Sequence, residues 1–301
     1  MSGWTADLIR DQSGRTAVVT GANSGLGLVT ARELAKHGAR VVMACRNLDK
    51  GRSACADVGD AAELEALDLA SFDSVRDFAG RVREKHGGLD LLINNAGVMA
   101  APRRLTADGF ELHLGTNHLG HFLLTNLLLP AMEGREDARV VTVSSNAHKF
   151  GRVNFDNLNG ERRYFRWSAY GQSKLANLLF ALELDRRLRA SGSSVKSLAA
   201  HPGYSVTNLQ SAAAPVFDRM VMKVTNLTGQ SDEMGALPVL YAATEPDLPG
   251  GTYVGPDGPG EQRGYPKVVQ PNGRARDEES ARRLWEVSEE LTGVSYATAA
   301  A

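Results

Sequence analysis

The stretch Thr20-Gly21-Ala22-Asn23-Ser24-Gly25-Leu26-Gly27 decides the fold, because it joins a β-rich run to a helical pattern. The preceding Thr16–Thr20 is apolar and β-branched, whereas residues 26–37 have helical periodicity and Gly38 is a suitable C-terminal stop. Glycines allow a tight turn and a close approach to a pyrophosphate, and the helix N-terminus adds free N–H groups. The spacing Gly-x-x-x-Gly-x-Gly differs from the common dinucleotide fingerprint, and a purely structural turn is the alternative. The strand–helix junction favours a phosphate-binding loop.

Strand and helix patterns alternate along the rest of the chain. Further strands are predicted at residues 40–44, 62–69, 89–93, 139–143, 195–200 and 251–254, and further helices at 71–86, 105–129, 168–190 and 277–291. Such alternation requires right-handed crossovers and a parallel sheet covered on both faces. The 301 residues contain no internal repeat and no dividing linker. We therefore predict one doubly wound α/β domain of the Rossmann type, spanning residues 1–301.

Two less regular segments follow predicted strands, at residues 147–167 and 204–249. Ligands of open α/β sheets bind outside the carboxyl ends of the strands, so both segments can cover that edge. We expect residues 204–249, which carry Phe217, Met220 and Met222, to form a substrate lid. The aromatic residues of the first segment either line an apolar pocket or form a satellite cluster under a loop. They are Phe150, Phe155, Tyr164, Phe165 and Trp167.

Composition excludes several classes of protein. The formal net charge is -1 and charges of both signs are interleaved, which argues against a nucleic-acid or membrane surface. Cys45 and Cys55 are too few for a disulfide framework and are typical of a reducing compartment. The N-terminal residues have no apolar core, and the longest apolar run, residues 119–129, is too short to span a bilayer. We expect a cytoplasmic protein.

The end of the second strand, Met43-Ala44-Cys45-Arg46, bears on the choice of cofactor. NAD-binding proteins usually place an acid here to bind the ribose 2′-hydroxyl, whereas an arginine suits a 2′-phosphate. A guanidinium can bind a phosphate through two parallel hydrogen bonds and stack on adenine. Arg46 therefore favours NADP(H) over NAD, and a solvated surface arginine is the alternative.

Tyr170-Gly171-Gln172-Ser173-Lys174 carries the candidate chemistry, since residues four apart share one helix face. Tyrosine, with an ordinary pKa of about 10, is a poor base near neutrality, and a neighbouring ammonium favours the tyrosinate. Lys174 and the positive charge of oxidised nicotinamide could together lower the pKa of Tyr170. Alone, this pair is a very weak signal.

Taken together, the motifs resemble the short-chain dehydrogenase/reductase family along most of the chain. In order they are Thr20-Gly21…Gly25-Leu26-Gly27, Asp68-Leu69, Asn94-Asn95-Ala96-Gly97, Asn117, Val143-Ser144-Ser145, Tyr170…Lys174 and Pro202-Gly203. Two stretches and an enlarged gap between Ser145 and Tyr170 look most like the retinol-dehydrogenase-like branch. The stretches are Thr116-Asn117-His118-Leu119-Gly120-His121-Phe122 and Ser173-Lys174-Leu175-Ala176-Asn177.

The resemblance implies a role for each motif residue. Tyr170 would be the general acid/base, Ser145 would hydrogen-bond the substrate oxygen, and Lys174 would hold the nicotinamide ribose. Ser144 is the alternative to Ser145, and Asn117 would support a water that relays protons through Lys174. The remaining cofactor contacts implied are Gly21, Asn23, Ser24, Gly25, Leu26, Gly27, Asp68, Leu69, Asn95, Ala96, Gly97, Pro202, Gly203 and Thr207. Ser205 departs from the family, which more often has Val or Ile there.

The resemblance also implies a small-molecule carbonyl or alcohol substrate, here a rather apolar one, and a homodimer or homotetramer that pairs through the helix of Tyr170 and the preceding long helix. No metal is expected: His113, His118 and His121 share one predicted helix, but no Cys or carboxylate stands with them at ligand spacing. A non-catalytic NADP-binding sensor would not need the complete set of Asn117, Ser145, Tyr170 and Lys174. A nucleotide-sugar epimerase would space its glycines differently and extend further beyond Pro202.

Overall fold

The computed structural model describes residues 3–204 and 230–296, and eight strands of this part of the chain form one sheet in the order β3-β2-β1-β4-β5-β6-β7-β8. Their bounds are β1 Thr16–Thr20, β2 Arg40–Cys45, β3 Ala62–Ala66, β4 Leu91–Asn94, β5 Arg139–Val143, β6 Lys196–Ala200, β7 Tyr253–Pro256 and β8 Pro266–Val268. All neighbours pair in parallel except β7 and β8. The order reverses where β1 lies beside β4, which is the point at which such sheets bind ligands.

Seven α-helices cover this sheet in the described residues. They are α1 Gly25–Lys36, α2 Leu48–Val58, α3 Phe72–His86, α4 Gly120–Met132, α5 Arg166–Ala190, α6 Asp232–Thr244 and α7 Glu278–Thr292. One apolar core lies between the sheet and α3, α4 and α5, and a second lies between the sheet and α1 and α6. The predicted doubly wound sheet is therefore confirmed. None of the described helices is long and apolar enough to cross a membrane.

The helix α7 packs on α5, and its Trp285 also contacts α4. Its Trp285 is 2% exposed, and its ring centroid lies 4.9 Å from that of Phe122 on α4 and 5.8 Å from that of Phe180 on α5. Ser288 lies 2.9 Å from the Nε2 atom of His118, and the Arg187 guanidinium lies 4.5 Å above the Trp285 ring. This aromatic packing binds the last described helix to the middle of the chain.

The structure departs from the sequence prediction at several elements. The predicted helix 105–129 was wrong at its start, because Leu105 and Glu111 pair as a β-bridge and the helical conformation begins at residue 112. Its first part, Leu114–Leu119, is a π-helix that runs into α4. Helix α2 and strand β8 were not predicted at all. Within the predicted lid, residues 232–244 form α6, whose buried side chains pack in the second core. The lid remains a prediction for residues 205–229, which lie outside the described part of the chain.

Candidate active site

A cavity of about 530 Å³ lies at the carboxyl ends of the strands, at the reversal of the strand order. It is lined by the phosphate-loop residues Gly21, Asn23, Ser24, Gly25, Leu26 and Gly27, by Arg46, Asp68, Leu69, Asn95, Ala96 and Gly97, and by Ser144, Ser145, Tyr170, Lys174, Pro202 and Gly203. Residues as far apart in the sequence as Gly21 and Gly203 are thus brought to one site. Of the predicted site residues, Asn117 is buried behind the wall and Thr207 lies outside the described residues, as does Ser205.

The loop between β1 and α1 has the backbone that a phosphate site needs. Gly21 has a φ of 68° and Gly25 a φ of 56°, conformations that side chains disfavour. A Cβ atom at Gly27 would collide with the carbonyl oxygen of Gly21 and lie 2.5 Å from the Asn95 Nδ2 atom. The Ser24 side chain does not cap α1, and no acid lies in its first turn. Uncapped N–H groups and the helix dipole therefore fit the pyrophosphate of a dinucleotide.

Thr20 binds the segment after β4 to this loop. Its Oγ1 atom accepts hydrogen bonds of 2.9 Å from both the Asn95 and the Ala96 backbone N–H groups, and lies 3.0 Å from His121 Nε2. The Asn95 side chain donates to the Thr20 carbonyl at 2.8 Å. Asn95 thus fixes the separation of β1 and β4 at the floor of the cavity.

Arg46 and Asp68 lie on the opposite rim. Arg46, exposed, directly follows the last residue of β2, and no acid stands at that strand end. The Asp68 Oδ1 atom accepts a 3.0 Å hydrogen bond from the Ala70 N–H, which holds the carboxylate at the rim. This end of the cavity combines a cation with a fixed acceptor.

Tyr170 and Lys174 lie on α5, facing the turn after β5. Both are buried, and the Lys174 Nζ atom lies 5.9 Å from the Tyr170 ring centroid and donates to the Val143 carbonyl at 3.0 Å. Burial raises the pKa of Tyr170, whereas its hydrogen bond with Ser145 opposes that rise. Burial lowers the pKa of Lys174 to about 8. The expected lowering of the tyrosine pKa by Lys174 is therefore not found in the protein alone.

The two serines after β5 point to different partners. The Ser144 hydroxyl, 1% exposed, donates to the Lys174 carbonyl at 2.8 Å and so supports α5. Ser145 hydrogen-bonds Tyr170 and accepts from the Ala147 N–H at 3.2 Å. This geometry favours Ser145 over Ser144 as the partner of Tyr170.

Asn117 lies in the π-helical segment, a feature often found at functional sites. Its side chain accepts from the Val98 N–H at 2.8 Å, and its Nδ2 atom donates to the Val98 carbonyl at 3.0 Å and to Ser173 Oγ at 2.9 Å. A Cβ atom at Gly97 would lie 3.2 Å from Asn117 Oδ1 and 3.5 Å from Lys174 Nζ. Gly97 therefore leaves room for the approach of these two side chains.

The three histidines of this region have separate partners. The His113 Nδ1 atom lies 2.7 Å from Glu111 Oε1, and its Nε2 atom accepts from the Ala101 N–H at 3.0 Å. His121 Nδ1 lies 3.0 Å from the Asn117 carbonyl oxygen, and His118 contacts Ser288. Within residues 3–204 and 230–296, no group of three or more His, Cys, Asp or Glu side chains could hold a metal ion.

The aromatic residues before Tyr170 have different surroundings. Phe150 and Trp167 line the cavity, whereas the Tyr164 hydroxyl donates to the Ala101 carbonyl at 2.9 Å and Phe165 is 65% exposed. Sequence reasoning missed other lining residues, namely Val98, Met99, Thr116, Asn146, Ala147 and Tyr204. Each lies within two residues of an identified motif, and this adjacency was the available signal.

Comparison with known proteins places these features in context. The short chain dehydrogenase family model matches residues 15–215. Retinol dehydrogenase 13 from Homo sapiens is 41% identical over 299 residues, covering 93% of this chain and 85% of that protein. Polyprenol dehydrogenase from Mus musculus is 45% identical over 294 residues, covering 94% of this chain and 85% of that protein. The crystal structure of an uncharacterized protein from Mycobacterium Paratuberculosis has a TM-score of 0.84 and 48% identity, covering 98% of this chain and 100% of that chain.

Proposed function

Because the chain belongs to the short-chain dehydrogenase family and is retinol-dehydrogenase-like, we propose that it transfers a hydride between NADP(H) and the carbonyl or alcohol carbon of an apolar substrate, with Tyr170 as general acid/base. Membership itself makes it an oxidoreductase acting on alcohol or carbonyl groups, in a family that binds nicotinamide dinucleotides. The finer proposal is carried by one observation: Ser145, Tyr170 and Lys174 line the same cavity as the phosphate loop.

Each side chain has a defined task in this proposal. When bound, the nicotinamide ring would give or take the hydride. In reduction the Tyr170 hydroxyl, which is protonated near neutral pH, donates a proton to the substrate oxygen. Ser145 hydrogen-bonds the same oxygen, and Lys174 holds the nicotinamide ribose. In oxidation Tyr170 must act as a base, which we propose requires the positive charge of the oxidised ring beside Lys174.

NADP(H) is proposed over NAD because Arg46 lies at the rim where the adenosine ribose would lie, and no acid stands at the end of β2. The remaining contacts follow from the cavity lining. Gly21 to Gly27 would hold the pyrophosphate, Asp68 and Leu69 the adenine, and Asn95 to Gly97 together with Pro202 and Gly203 the rest of the groove. Thr207 stays a prediction, as does a cytoplasmic location.

The apolar substrate is proposed from the end of the cavity next to Tyr170. Val98, Met99, Phe150, Trp167 and Tyr204 line the cavity, and the Trp167 ring centroid lies 6.3 Å from that of Tyr170. Retinol and polyprenol, the alcohols named by two relatives, are apolar molecules as well. The predicted substrate lid falls for the most part on residues 205–229, which lie outside the described residues, and it stays a prediction.

Replacing Tyr170 by Phe tests the catalytic assignment, because it removes only the hydroxyl. Turnover should fall by roughly 100- to 10,000-fold, the range for losing a positioned acid/base, while NADPH binding and the thermal midpoint persist. The matched control is Tyr241→Phe on α6, where Tyr241 packs edge-on against Trp4. Steady-state kinetics with a panel of aldehydes gives the result, and a Tyr170→Phe protein that keeps a tenth of the wild-type turnover contradicts the assignment.

A further inference from the structure

The turn between β7 and β8 contacts two of the segments that line the cavity. The Glu261 carboxylate lies at the centre of the contact: its Oε2 atom is 3.0 Å from Lys149 Nζ and 3.2 Å from His201 Nε2. Lys149 ends the short helical turn that begins after Ser145, and His201 directly precedes Pro202 and Gly203. One carboxylate thus contacts two cavity-lining segments that are far apart in sequence.

The backbone of the same turn makes two further contacts. The Glu261 carbonyl accepts a 3.0 Å hydrogen bond from the Asn146 side chain, and the Gln262 carbonyl accepts a 2.6 Å hydrogen bond from the Tyr204 N–H. Asn146 and Tyr204 both line the cavity. Each of the two segments is therefore held twice, once by the carboxylate and once by a carbonyl.

The backbone of Glu261 has an uncommon conformation. Its φ is 57°, in the left-handed region that L residues other than Asn and Asp rarely adopt. The preceding Gly260 has a φ of 63° and meets that requirement without strain. Backbone strain of this kind persists where the surroundings over-determine it, as the four contacts do here.

The His201 imidazole transmits the contact to the cavity wall. The ring is fully buried, and its Nδ1 atom accepts a 3.2 Å hydrogen bond from the Gly203 N–H. The remaining ring nitrogen, Nε2, lies 3.2 Å from the Glu261 carboxylate and has no hydrogen-bond partner among the described residues, so this carboxylate is its polar neighbour. The pKa of Glu261 is lowered to about 2, first by the neighbouring His201 side chain, so the carboxylate is ionised at neutral pH.

We propose that Glu261 is a positioning residue that sets the separation of the Ser145 turn and the Pro202-Gly203 segment, and so shapes the nicotinamide end of the cavity. The inference rests on the proposed function, because it assigns that end to nicotinamide. Glu261 acts through His201, Lys149 and Asn146 and need not touch the cofactor.

The test compares two ligands at two variants. The ligands are NADPH and 2′-phosphoadenosine diphosphate ribose, which lacks the nicotinamide ring, and their dissociation constants are measured by calorimetry. Glu261→Gln keeps the shape and removes the charge, whereas Glu261→Gly removes the carboxylate and accepts the left-handed φ, so the turn still folds. The control is Asp247→Asn, an exposed residue with a φ of 63° that does not line the cavity.

We expect both Glu261 variants to bind NADPH roughly 2- to 30-fold more weakly, the range for residues that act on a site without touching the ligand. Affinity for the fragment should change less than twofold, and the control should match the wild type for both. An equal loss for both ligands would mean that Glu261 supports only the fold, and no loss for NADPH would mean that it does not shape the site; either overturns the inference. If the wild-type protein binds 2′-phosphoadenosine diphosphate ribose and NADPH equally poorly, the proposed function is wrong. The inference about Glu261 is then wrong as well, because it rests on that function.

Discussion

At the residue scale, the Lys174 ammonium serves the proposed site but destabilises the folded state, because it is buried. Its pKa is lowered from 10.5 to about 8 because burial disfavours the charged form. Below about pH 8 the ammonium is charged in both the folded and the unfolded chain, so the folded state carries the full penalty, on the order of 3 kcal/mol. Between about pH 8 and 10.5 only the unfolded chain retains the charge, and the penalty disappears as pH rises.

Replacing Lys174 by Met should therefore stabilise the protein while abolishing its proposed activity. The Val143 carbonyl loses the hydrogen bond from Lys174. It still accepts one from the Asn177 side chain at 3.2 Å, so it does not become an unpaired buried acceptor. We expect the free energy of unfolding at pH 7 to rise by about 2 kcal/mol, a gain that shrinks toward pH 10.5. Denaturant unfolding at both pH values measures it, with Lys36→Met on the exposed side of α1 as control. A variant less stable than wild type at pH 7 contradicts the reasoning.

Replacing Arg46, another single residue, tests the choice of cofactor. Arg46→Ala should weaken NADPH binding by roughly 1–3 kcal/mol, the value of a charge-assisted hydrogen-bonding partner, and leave NADH binding nearly unchanged. Arg40→Ala, at the opposite end of β2, provides the matched control. Fluorescence titration gives both dissociation constants, and equal losses for the two cofactors would show that Arg46 acts through the fold.

At the element scale, the sequence specified most strands and helices because their signals are local. The run of β1, the loop glycines and the capping residue Ser71 each identify an element without help from the rest of the chain. Strand β8 has three residues, and α2 carries two glycine or serine positions that weaken its helical pattern. Their conformations depend on pairing with β7 and packing on β3, which no local pattern encodes.

Only part of the candidate site was predictable from local sequence signals. Motif residues such as Tyr170 and Asn95 were identifiable because their types and spacing carry the chemistry. Glu261 was not, since its importance arises from the meeting of segments more than a hundred residues apart and from a left-handed φ. The π-helical conformation at Asn117, whose side chain bonds Val98 and Ser173, likewise has no local sequence signal.

At the scale of the whole molecule, the apolar end of the cavity is assembled from segments after β4, β5 and β6. Each buried methylene of a substrate is worth about 0.8 kcal/mol, so kcat/KM for straight-chain aldehydes should rise a few-fold per added carbon until the space is filled. Short polar aldehydes and sugars should be poor substrates. A flat or falling series from propanal to decanal would remove the apolar-substrate proposal and leave the family assignment intact.

The expected homodimer or homotetramer remains a prediction. The resemblance implies pairing through the helix of Tyr170 and the preceding long helix, here α5 and α4. In this chain the Trp285 ring of α7 contacts Phe122 on α4 and Phe180 on α5.

The position of α7 in the sequence also has a consequence during synthesis. A ribosome releases residues 278–292 after every strand of the sheet, so Phe122 and Phe180 lack their cover until Trp285 has emerged. Parallel sheets gain their non-local contacts slowly, and apolar surface exposed in the meantime promotes aggregation. The nascent chain thus passes through a stage in which its sheet can form while an aromatic face stays open to solvent. A chaperone that binds apolar surfaces would act on the chain at this stage.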